Sequence, residues 1–367
     1  MRRIAITTLI LILFFTTLFP NIGHATPSVS AKNAVLIEES TGRILFEKNA
    51  HEKSSIASIT KIMTAIVAIE SGMLKEKATA SNRAVYTEGS SIYLKEGEKM
   101  TIEDLLYGLM LRSGNDAAMA ISEHVGGSME GFVHLMNEKA SWLGMSNTNF
   151  ENPHGLDSDK HYSSAYDMAL LMSYAMKDKE FQKITSAKSY KSEQRSYSWQ
   201  NKNKLLTMYY KYCTGGKTGF TKKTGRTLVS TASKDGMNLI AVTLDAPDDW
   251  RDHMKMFDWG FENYEMESLI KQGQTTVETD SQTSLTGVIK EDRLYPLTNE
   301  EKELINKKIL IQEQEQYENG DKIGLAIFSL DNNRILEVPI FMSSDEPTEK
   351  NFMDDFISIF KKIFRLG

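Results

Sequence analysis

Two kinds of apolar pattern divide residues 33–264 of this chain into an outer β part and an inner helical part. Residues 33–48 contain two apolar runs separated by Ser40-Thr-Gly, which predicts a β-hairpin. Residues 212–244 contain two β-branched runs separated by Lys234-Asp-Gly, which predicts another hairpin. We therefore expect one sheet assembled from both ends of this region, with a helical lobe beside it.

The intervening chain has a mostly helical pattern from about residue 75 to 170. One helix is expected to begin at a Thr101 cap and to end at Ser113, because Ser113-Gly interrupts the apolar periodicity. This places Ser113 and Asn115 on a turn that enters the next helix. Residues 249–264 again show a helical pattern.

The pattern changes after about residue 265. Residues 272–286 are rich in Gln, Thr and Ser, and residues 318–330 and 334–340 are predicted to form a further hairpin. This part of the sequence contains no cluster of catalytic residue types. It predicts a further β-rich region.

The last residues, 351–366, predict an amphipathic helix. Placed at 100° per residue, its apolar side chains occupy about half of the circumference; they are Phe352, Met353, Phe356, Ile357, Ile359, Phe360, Ile363, Phe364 and Leu366. A helix packed on a soluble core could have this pattern. Four phenylalanines and nearby cations at the end of the chain favour a helix that lies in a membrane interface.

Composition excludes some functions. The length of 367 residues favours two domains, and the net charge of −6 makes nucleic acid an unexpected partner. Cys213 is the only cysteine, so no intramolecular disulfide can form. A catalytic thiol at Cys213 is less favoured than a packing role, because no Cys–His pairing is indicated.

The N-terminus has the pattern of a secretory signal peptide. Arg2 and Arg3 precede an apolar run of residues 4–19, and Gly23-His-Ala25 matches a small-residue cleavage site. We predict cleavage after Ala25. An uncleaved anchor is the alternative, but the run is shorter than the roughly 20 residues that span a membrane. The protein is therefore expected to be exported.

The candidate nucleophile is Ser58, in the pattern Ser58-Ile-Thr-Lys61. If Ser58 opens a helix, its side chain and that of Lys61 lie one turn apart on one face. A serine hydroxyl needs a nearby base, and a lysine can be that base when burial and a second positive charge disfavour its ammonium form. A helix N-cap is the purely structural alternative for Ser58.

Ser-x-x-Lys alone is a weak signal, and it recurs at Ser268 and Ser358. Only the Ser58 copy is followed by both a Ser-x-Asn and a Lys-Thr-Gly. These are Ser113-Gly-Asn115 and Lys217-Thr218-Gly219. The order and spacing of the three segments predict one catalytic pocket.

The three segments together resemble the penicillin-recognising serine enzymes, and more narrowly the low-molecular-mass D-alanyl-D-alanine carboxypeptidases of peptidase family S11. The resemblance covers about residues 27–345 and is strongest before residue 262. It implies an α/β, serine β-lactamase/transpeptidase-like domain at residues 26–264, with an antiparallel sheet and a helical lobe. A small β-rich domain at 265–345 and a membrane-anchoring amphipathic helix at 346–367 would follow.

The resemblance also implies roles for the site residues. Ser58 would attack the substrate carbonyl, Lys61 would be the general base, and Ser113 would pass the proton to the leaving amine. The remaining residues would bind substrate: Asn115 its amide, Lys217 and Thr218 its terminal carboxylate, Gly219 an approaching peptide, and the N–H groups of Ser58 and Phe220 the oxyanion. No metal or organic cofactor is expected.

Several other polar residues are interpreted as structural. Lys223-Thr-Gly is a second copy of the third motif, but it is predicted to lie in a hairpin turn, so Lys217 is preferred. His154 and His161 fit no standard zinc spacing. Packing or a substrate-loop role is more plausible for both, and Asp167 is expected to help order that loop.

The implied function is removal of the terminal D-alanine from peptidoglycan pentapeptide stems, on the outer face of the bacterial cytoplasmic membrane. β-Lactam antibiotics would acylate the same serine. They should be hydrolysed slowly, because the Glu-x-x-Leu-Asn loop of class A β-lactamases is absent from the sequence. A DD-endopeptidase, a β-lactamase and a non-catalytic penicillin sensor are the alternatives.

Overall fold

The computed structural model describes residues 26–278, 284–312 and 317–343. The predicted signal peptide and the predicted C-terminal amphipathic helix, including Ser358, lie outside these residues. Among the described residues, no helix is long and apolar enough to cross a membrane. The chain divides into two compact units, one that ends at Asn263 and one that begins at Tyr264.

The first unit contains an antiparallel sheet built from both ends of its sequence. Its strands are β1 (Asn33–Glu38), β2 (Ile44–Lys48), β7 (Cys213–Thr221), β8 (Gly225–Lys234) and β9 (Met237–Leu244), in the order β2-β1-β9-β8-β7. β1 and β9 pair with Val35 opposite Val242, and every residue of β1 is buried. Both predicted hairpins and the shared sheet are confirmed. Strand β7 forms one edge of this sheet.

The helical lobe lies between these strands in sequence. It contains α1 (Lys61–Glu70), α2 (Asn82–Val85), α3 (Ile102–Arg112), α4 (Asn115–Val125), α5 (Met129–Trp142), α6 (Ala165–Ala175) and α7 (Lys179–Thr185), with α8 (Asp249–Asn263) following β9. Short two-stranded pairs, β3 (Lys77–Thr79) with β4 (Lys99–Thr101) and β5 (Ser189–Tyr190) with β6 (Trp199–Gln200), complete it. A five-residue π-helix, Leu205–Tyr209, precedes β7.

The predicted start of α3 is confirmed, because the Thr101 side chain accepts a hydrogen bond from the Asp104 N–H. The predicted start of α1 is wrong. Ser58 lies inside a 3-10 helix, Ala57–Thr60, and the α-helix begins only at Lys61. Ser58 is therefore not a helix N-cap. Nine of the ten residues of α1 are buried, since it runs through the centre of the apolar core.

The second unit is rich in β-structure. Strands β10 (Glu265–Ile270) and β13 (Arg293–Leu297) form one pair, and β11 (Gly273–Glu278), β12 (Ser284–Ile289), β14 (Ile305–Ile311), β15 (Lys322–Leu330) and β16 (Asn333–Met342) form a sheet in the order β11-β12-β16-β15-β14. A one-turn helix, α9 (Asn299–Lys302), begins at a Thr298 capping box. The predicted β15–β16 hairpin is confirmed, and its two turn residues have positive φ. Ser268 lies in β10, so its Ser-x-x-Lys pattern is not helical.

Candidate active site

The turn that carries Ser58 is held in a strained conformation between two glycines. Ala57, which precedes it, has φ of +48°, a region that residues with a Cβ avoid. A Cβ added to Gly155 would lie 2.0 Å from the Ala57 carbonyl oxygen, and one added to Gly219 would lie 2.9 Å from the Ser58 amide nitrogen. Strain of this kind persists only where the surroundings over-determine it. Here they fix Ser58, the candidate nucleophile, against the edge strand β7, and we call its 3-10 segment the nucleophile turn.

Gly219 therefore has a different constraint from the one predicted. The prediction was that its missing side chain lets a peptide approach the strand. In the structure an added Cβ would point towards the protein, 2.4 Å from Thr227 Oγ1. Thr227 in turn donates a hydrogen bond to the Ile56 carbonyl at 3.0 Å. The glycine lets β7 pack directly on the nucleophile turn.

Lys61 is buried and has three polar neighbours around its amine. Nζ lies 3.0 Å from Ser58 Oγ and donates to Asn115 Oδ1 at 2.7 Å and to the His154 carbonyl at 2.5 Å. Burial, and then the charge of Lys217, hold the pKa of Lys61 well below its usual value. A neutral amine keeps two N–H groups for the two oxygen acceptors. Its lone pair is then directed at the Ser58 hydroxyl, which is the geometry of a general base.

Ser113 and Lys217 form a second polar pair. Ser113 ends α3 with φ of +64°, and its Oγ accepts a hydrogen bond from Lys217 Nζ at 3.1 Å. Lys217 also donates to the Thr218 carbonyl at 2.8 Å. Burial, and then the charge of Lys202, lower the pKa of Lys217 to about 7. The Ser113 hydroxyl is therefore linked to Lys217 in this state, whereas the predicted proton path runs from Lys61.

Asn115 is fixed by the protein at both ends of its amide. Oδ1 accepts from Lys61, and Nδ2 donates to the Glu88 carbonyl at 2.5 Å. The neighbouring Asp116 carboxylate orders the same loop, accepting from the N–H groups of Ile92 and Leu94 at 3.0 and 3.1 Å. A carboxamide oxygen and nitrogen each have one further bonding position. The predicted contact of Asn115 with a substrate amide is compatible with this arrangement.

These groups open into a cleft of about 350 Å³ between β7 and the helical lobe. The cleft is lined by Ser58, Ser90, Ser113, Lys202, Lys204, Thr218, Gly219, Phe220, Arg226, Asp249 and Trp250. Phe220 is 63% exposed, whereas Lys217 is only 2% exposed and lies behind the lining. The structure thus brings the predicted residues of all three motifs to one place. The predicted contact of Lys217 with a substrate carboxylate would be made from behind the residues that line the cleft.

The sequence analysis missed a charged group at the edge of this cleft. Arg226 Nε lies 3.1 Å from Asp249 Oδ1, and the guanidinium lies 6.0 Å from the centre of the Trp250 ring. Burial raises the pKa of Asp249, and the Arg226 charge opposes that shift. The predicted hairpin turn at Lys223 would have been enough to place Arg226 near the cleft. Counting its register outward from the turn places Arg226 opposite Phe220.

Other singled-out residues have structural surroundings. His154 and His161 are buried, which lowers the pKa of His154 to about 3 and that of His161 to about 4. The His161 ring meets Thr60 Oγ1 at 2.8 Å, and the His154 ring accepts from the Leu156 N–H at 3.2 Å. Neither imidazole titrates near neutral pH, so both act as packed, neutral rings.

Asp167, Lys223 and Cys213 also have structural surroundings. Asp167 accepts hydrogen bonds from the Asn147 N–H and the Thr148 hydroxyl, at 2.8 and 2.7 Å. Lys223 lies in the β7–β8 turn and forms an exposed ion pair with Asp159. Burial raises the pKa of the Cys213 thiol to about 11, so that thiol is not activated.

Comparisons with known proteins agree with this geometry. The family described as D-alanyl-D-alanine carboxypeptidase matches residues 21–248, and the C-terminal domain of penicillin-binding protein 5 matches residues 264–348. The D-alanyl-D-alanine carboxypeptidase DacF of Bacillus subtilis is 34% identical over 86% of this chain and 85% of its own length. DacA of Escherichia coli, also named a D-alanyl-D-alanine carboxypeptidase, is 30% identical over 99% of this chain and 96% of its own.

A solved structure extends the likeness to the fold. Penicillin-binding protein 5 from Haemophilus influenzae is 28% identical, with a TM-score of 0.75 over 88% of this chain and 98% of that chain. The predicted fold class is confirmed for both units. The family match over residues 21–248 spans all three motifs. The chain therefore belongs to the D-alanyl-D-alanine carboxypeptidase family of serine peptidases.

Proposed function

We propose that this protein is a serine-type D-alanyl-D-alanine carboxypeptidase that removes the terminal D-alanine from peptidoglycan pentapeptide stems. One observation carries the proposal. A buried lysine amine, whose pKa is held far below its usual value, lies 3.0 Å from a serine hydroxyl at the bottom of an open cleft. That pair can generate an alkoxide-like nucleophile without a histidine or a metal ion.

Acylation follows from this arrangement. Ser58 Oγ attacks the carbonyl carbon of the D-alanyl-D-alanine bond while Lys61 accepts its proton. The oxyanion is bound by the N–H groups of Ser58 and Phe220. When the C–N bond breaks, the proton that Lys61 took passes through the Ser113 hydroxyl, which Lys217 holds, to the leaving amine. Water then hydrolyses the ester of Ser58 and releases the shortened peptide.

Recognition of the terminal carboxylate is assigned to Thr218 and Arg226, with Lys217 behind them. Lys217 is almost completely buried and already donates to Ser113 and Thr218. Arg226 lines the cleft, and its Nε lies 3.1 Å from Asp249 Oδ1. Its two terminal nitrogens form a planar fork that suits a carboxylate. This explains why a free C-terminus would be part of what the enzyme recognises.

A β-lactam presents an amide and a carboxylate to the same groups, so it should acylate Ser58 and remain bound. We further propose export through the N-terminal segment 1–25 and attachment to the outer face of the cytoplasmic membrane through residues 351–366. The charge pattern of these segments supports both steps. The intact Ser58–Lys61 pair argues against a non-catalytic sensor.

Mass spectrometry after exposure to penicillin, together with D-alanine release from a D-alanyl-D-alanine peptide, tests the proposal. We expect one covalent adduct on Ser58, lost in Ser58→Ala together with peptide turnover. Ser268→Ala is the matched control, since Ser268 has the same local pattern but lies exposed in a strand. An adduct on another residue, or unchanged turnover in Ser58→Ala, would refute it. Rapid and complete hydrolysis of the β-lactam would instead favour a β-lactamase.

A further inference from the structure

Two lysines line the cleft from a segment that is anchored firmly to the sheet. Asn203 is 1% exposed, and its side chain donates to the Gly215 carbonyl at 3.4 Å and accepts from the Leu205 N–H at 3.1 Å. Asn201 donates to the Ala187 carbonyl at 2.9 Å. With Asn201 and Asn203 directed into the protein, the alternate residues Lys202 and Lys204 reach the cleft. We call these two residues the lysine pair.

The lysine pair adds positive charge that the surrounding protein does not neutralise. Lys202 Nζ donates to Ser90 Oγ at 3.2 Å, a neutral partner. Across the described ranges, no salt bridge to an acidic residue is formed by Lys202 or Lys204. Asp249 is the acidic residue that lines the cleft, and Arg226 already pairs with it. A cleft lined by one sign of charge concentrates the opposite charge.

Holding these cations close together is electrostatically unfavourable, which indicates that they bind a ligand of opposite charge. Burial is the largest cause of the lowered pKa of Lys61, Lys202 and Lys217. The charge of Lys202 lowers the pKa of Lys217 and Lys61 further, and the charge of Arg112 does the same to Lys202. The whole chain is acidic, with a net charge of −6, so this local excess is not an average property of its surface. An anion bound between the cations would relieve their mutual repulsion.

The position of the lysine pair relative to the reaction follows from Lys217. In the proposed function, Lys217 and Thr218 mark the end of the cleft that holds the leaving residue and its carboxylate. The backbone N–H of Lys202 donates to the Leu111 carbonyl at 3.1 Å, two residues before Ser113, and Asn203 donates to the Gly215 carbonyl, two residues before Lys217. The lysine pair therefore lies at this end of the cleft. Arg226 and Thr218 already supply donors for the terminal carboxylate. The charge of the lysine pair is additional to that requirement.

We propose that Lys202 and Lys204 bind a second carboxylate, carried by the side chain of the leaving residue. The enzyme would then cleave D-alanyl bonds to an amino diacid faster than bonds to its uncharged amide. This inference rests on the proposed function, because it assumes that Ser58 attacks the D-alanyl carbonyl. It assigns the lysine pair a role in substrate specificity, separate from the chemistry of Ser58 and Lys61.

Two peptides that differ only in charge test the proposal. They have the same acyl part and end in D-alanyl-D-glutamate or in D-alanyl-D-glutamine. We expect kcat/KM to favour the glutamate peptide about fivefold at low salt, as for a partly exposed ion pair. The preference should shrink as salt is added. In Lys202→Gln/Lys204→Gln it should fall to about one, whereas Lys211→Gln, an exposed lysine outside the cleft lining, should retain it.

The outcomes separate this inference from the proposed function. Both variants must still form the Ser58 penicillin adduct, which shows that the site is folded. No preference for glutamate in the native enzyme, an unchanged preference in the double variant, or cleavage of D-alanyl-D-alanine alone would overturn the inference and leave the proposed function standing. Loss of the native adduct and of all turnover would instead refute the proposed function. A preference caused by a charge on the residue before D-alanine would also contradict the inference.

Discussion

Replacing Gly219 with alanine tests whether the packing of β7 on the nucleophile turn controls catalysis. The added Cβ would lie 2.4 Å from Thr227 Oγ1, which is 1.0 Å inside the 3.4 Å at which ordinary contact begins. It would also lie 2.9 Å from the Ser58 amide nitrogen. Both neighbours belong to the framework of the site, so the nucleophile turn and β7 must separate by up to about that distance.

A displacement of about 1 Å between reacting groups costs on the order of 100-fold in rate. We therefore expect Gly219→Ala to slow acylation of Ser58 by about two orders of magnitude. The assay is stopped-flow acylation by a chromogenic β-lactam, with thermal unfolding measured in parallel to verify that the variant is folded. Adding Thr227→Ala removes the closest contact, and we expect it to restore part of the rate. Acylation of a folded Gly219→Ala at the native rate would refute the reasoning, because the close contact would then have no effect on the nucleophile.

Four further predictions concern the charges of the site. Lys61→Gln should lower the acylation rate by about 10³, the effect of losing a general base, with the Ser58→Ala background as the reference. Since Lys61 must be neutral to act, the acylation rate should rise with pH through a pKa well below 10.5. Lys217→Met removes the nearby positive charge, so it should raise the pKa of Lys61 and move that rise to higher pH. A shift to lower pH would contradict this prediction. Arg226→Gln should slow acylation by a β-lactam with a free carboxylate about tenfold and leave its methyl ester unaffected, whereas equal losses for both would refute the carboxylate role. Asp116→Asn should destabilise the folded state by about 3 kcal/mol, measured by chemical denaturation, because a charged acceptor of two backbone N–H groups is weakened.

The location of Lys61 explains how a lysine could serve as a base at neutral pH. α1 is buried along nearly its whole length, so Lys61 enters the core with its amine directed at the cleft. Burial is the largest cause of its lowered pKa, and the positive charge of Lys217 is the next. The two acceptors, Asn115 Oδ1 and the His154 carbonyl, come from segments far apart in sequence. The site is therefore a product of the packing of distant segments of the chain on α1.

Much of the fold could be predicted from local patterns. The β1–β2 and β8–β9 hairpins have apolar runs on either side of short turn sequences, and the Thr101 cap has the side chain that a helix start requires. The order of the three motifs was likewise readable, because each is a short contiguous segment. The sequence by itself thus determined the hairpins and the start of α3, and it indicated the candidate nucleophile and its candidate base, but it did not give the 3-10 turn that carries Ser58.

Only the tertiary structure decided how these residues act. Three features depend on contacts between segments distant in sequence. They are the burial of Lys61, the packing of Gly219 against Thr227, and the ion pair between Arg226 and Asp249. The same is true of the lysine pair, which has no local motif. Periodicity reports which face of an element is apolar, but a pKa, a close contact or an ion pair depends on distances in space. Those distances are set by how the sheet and the helical lobe pack together, and no short segment of sequence contains them.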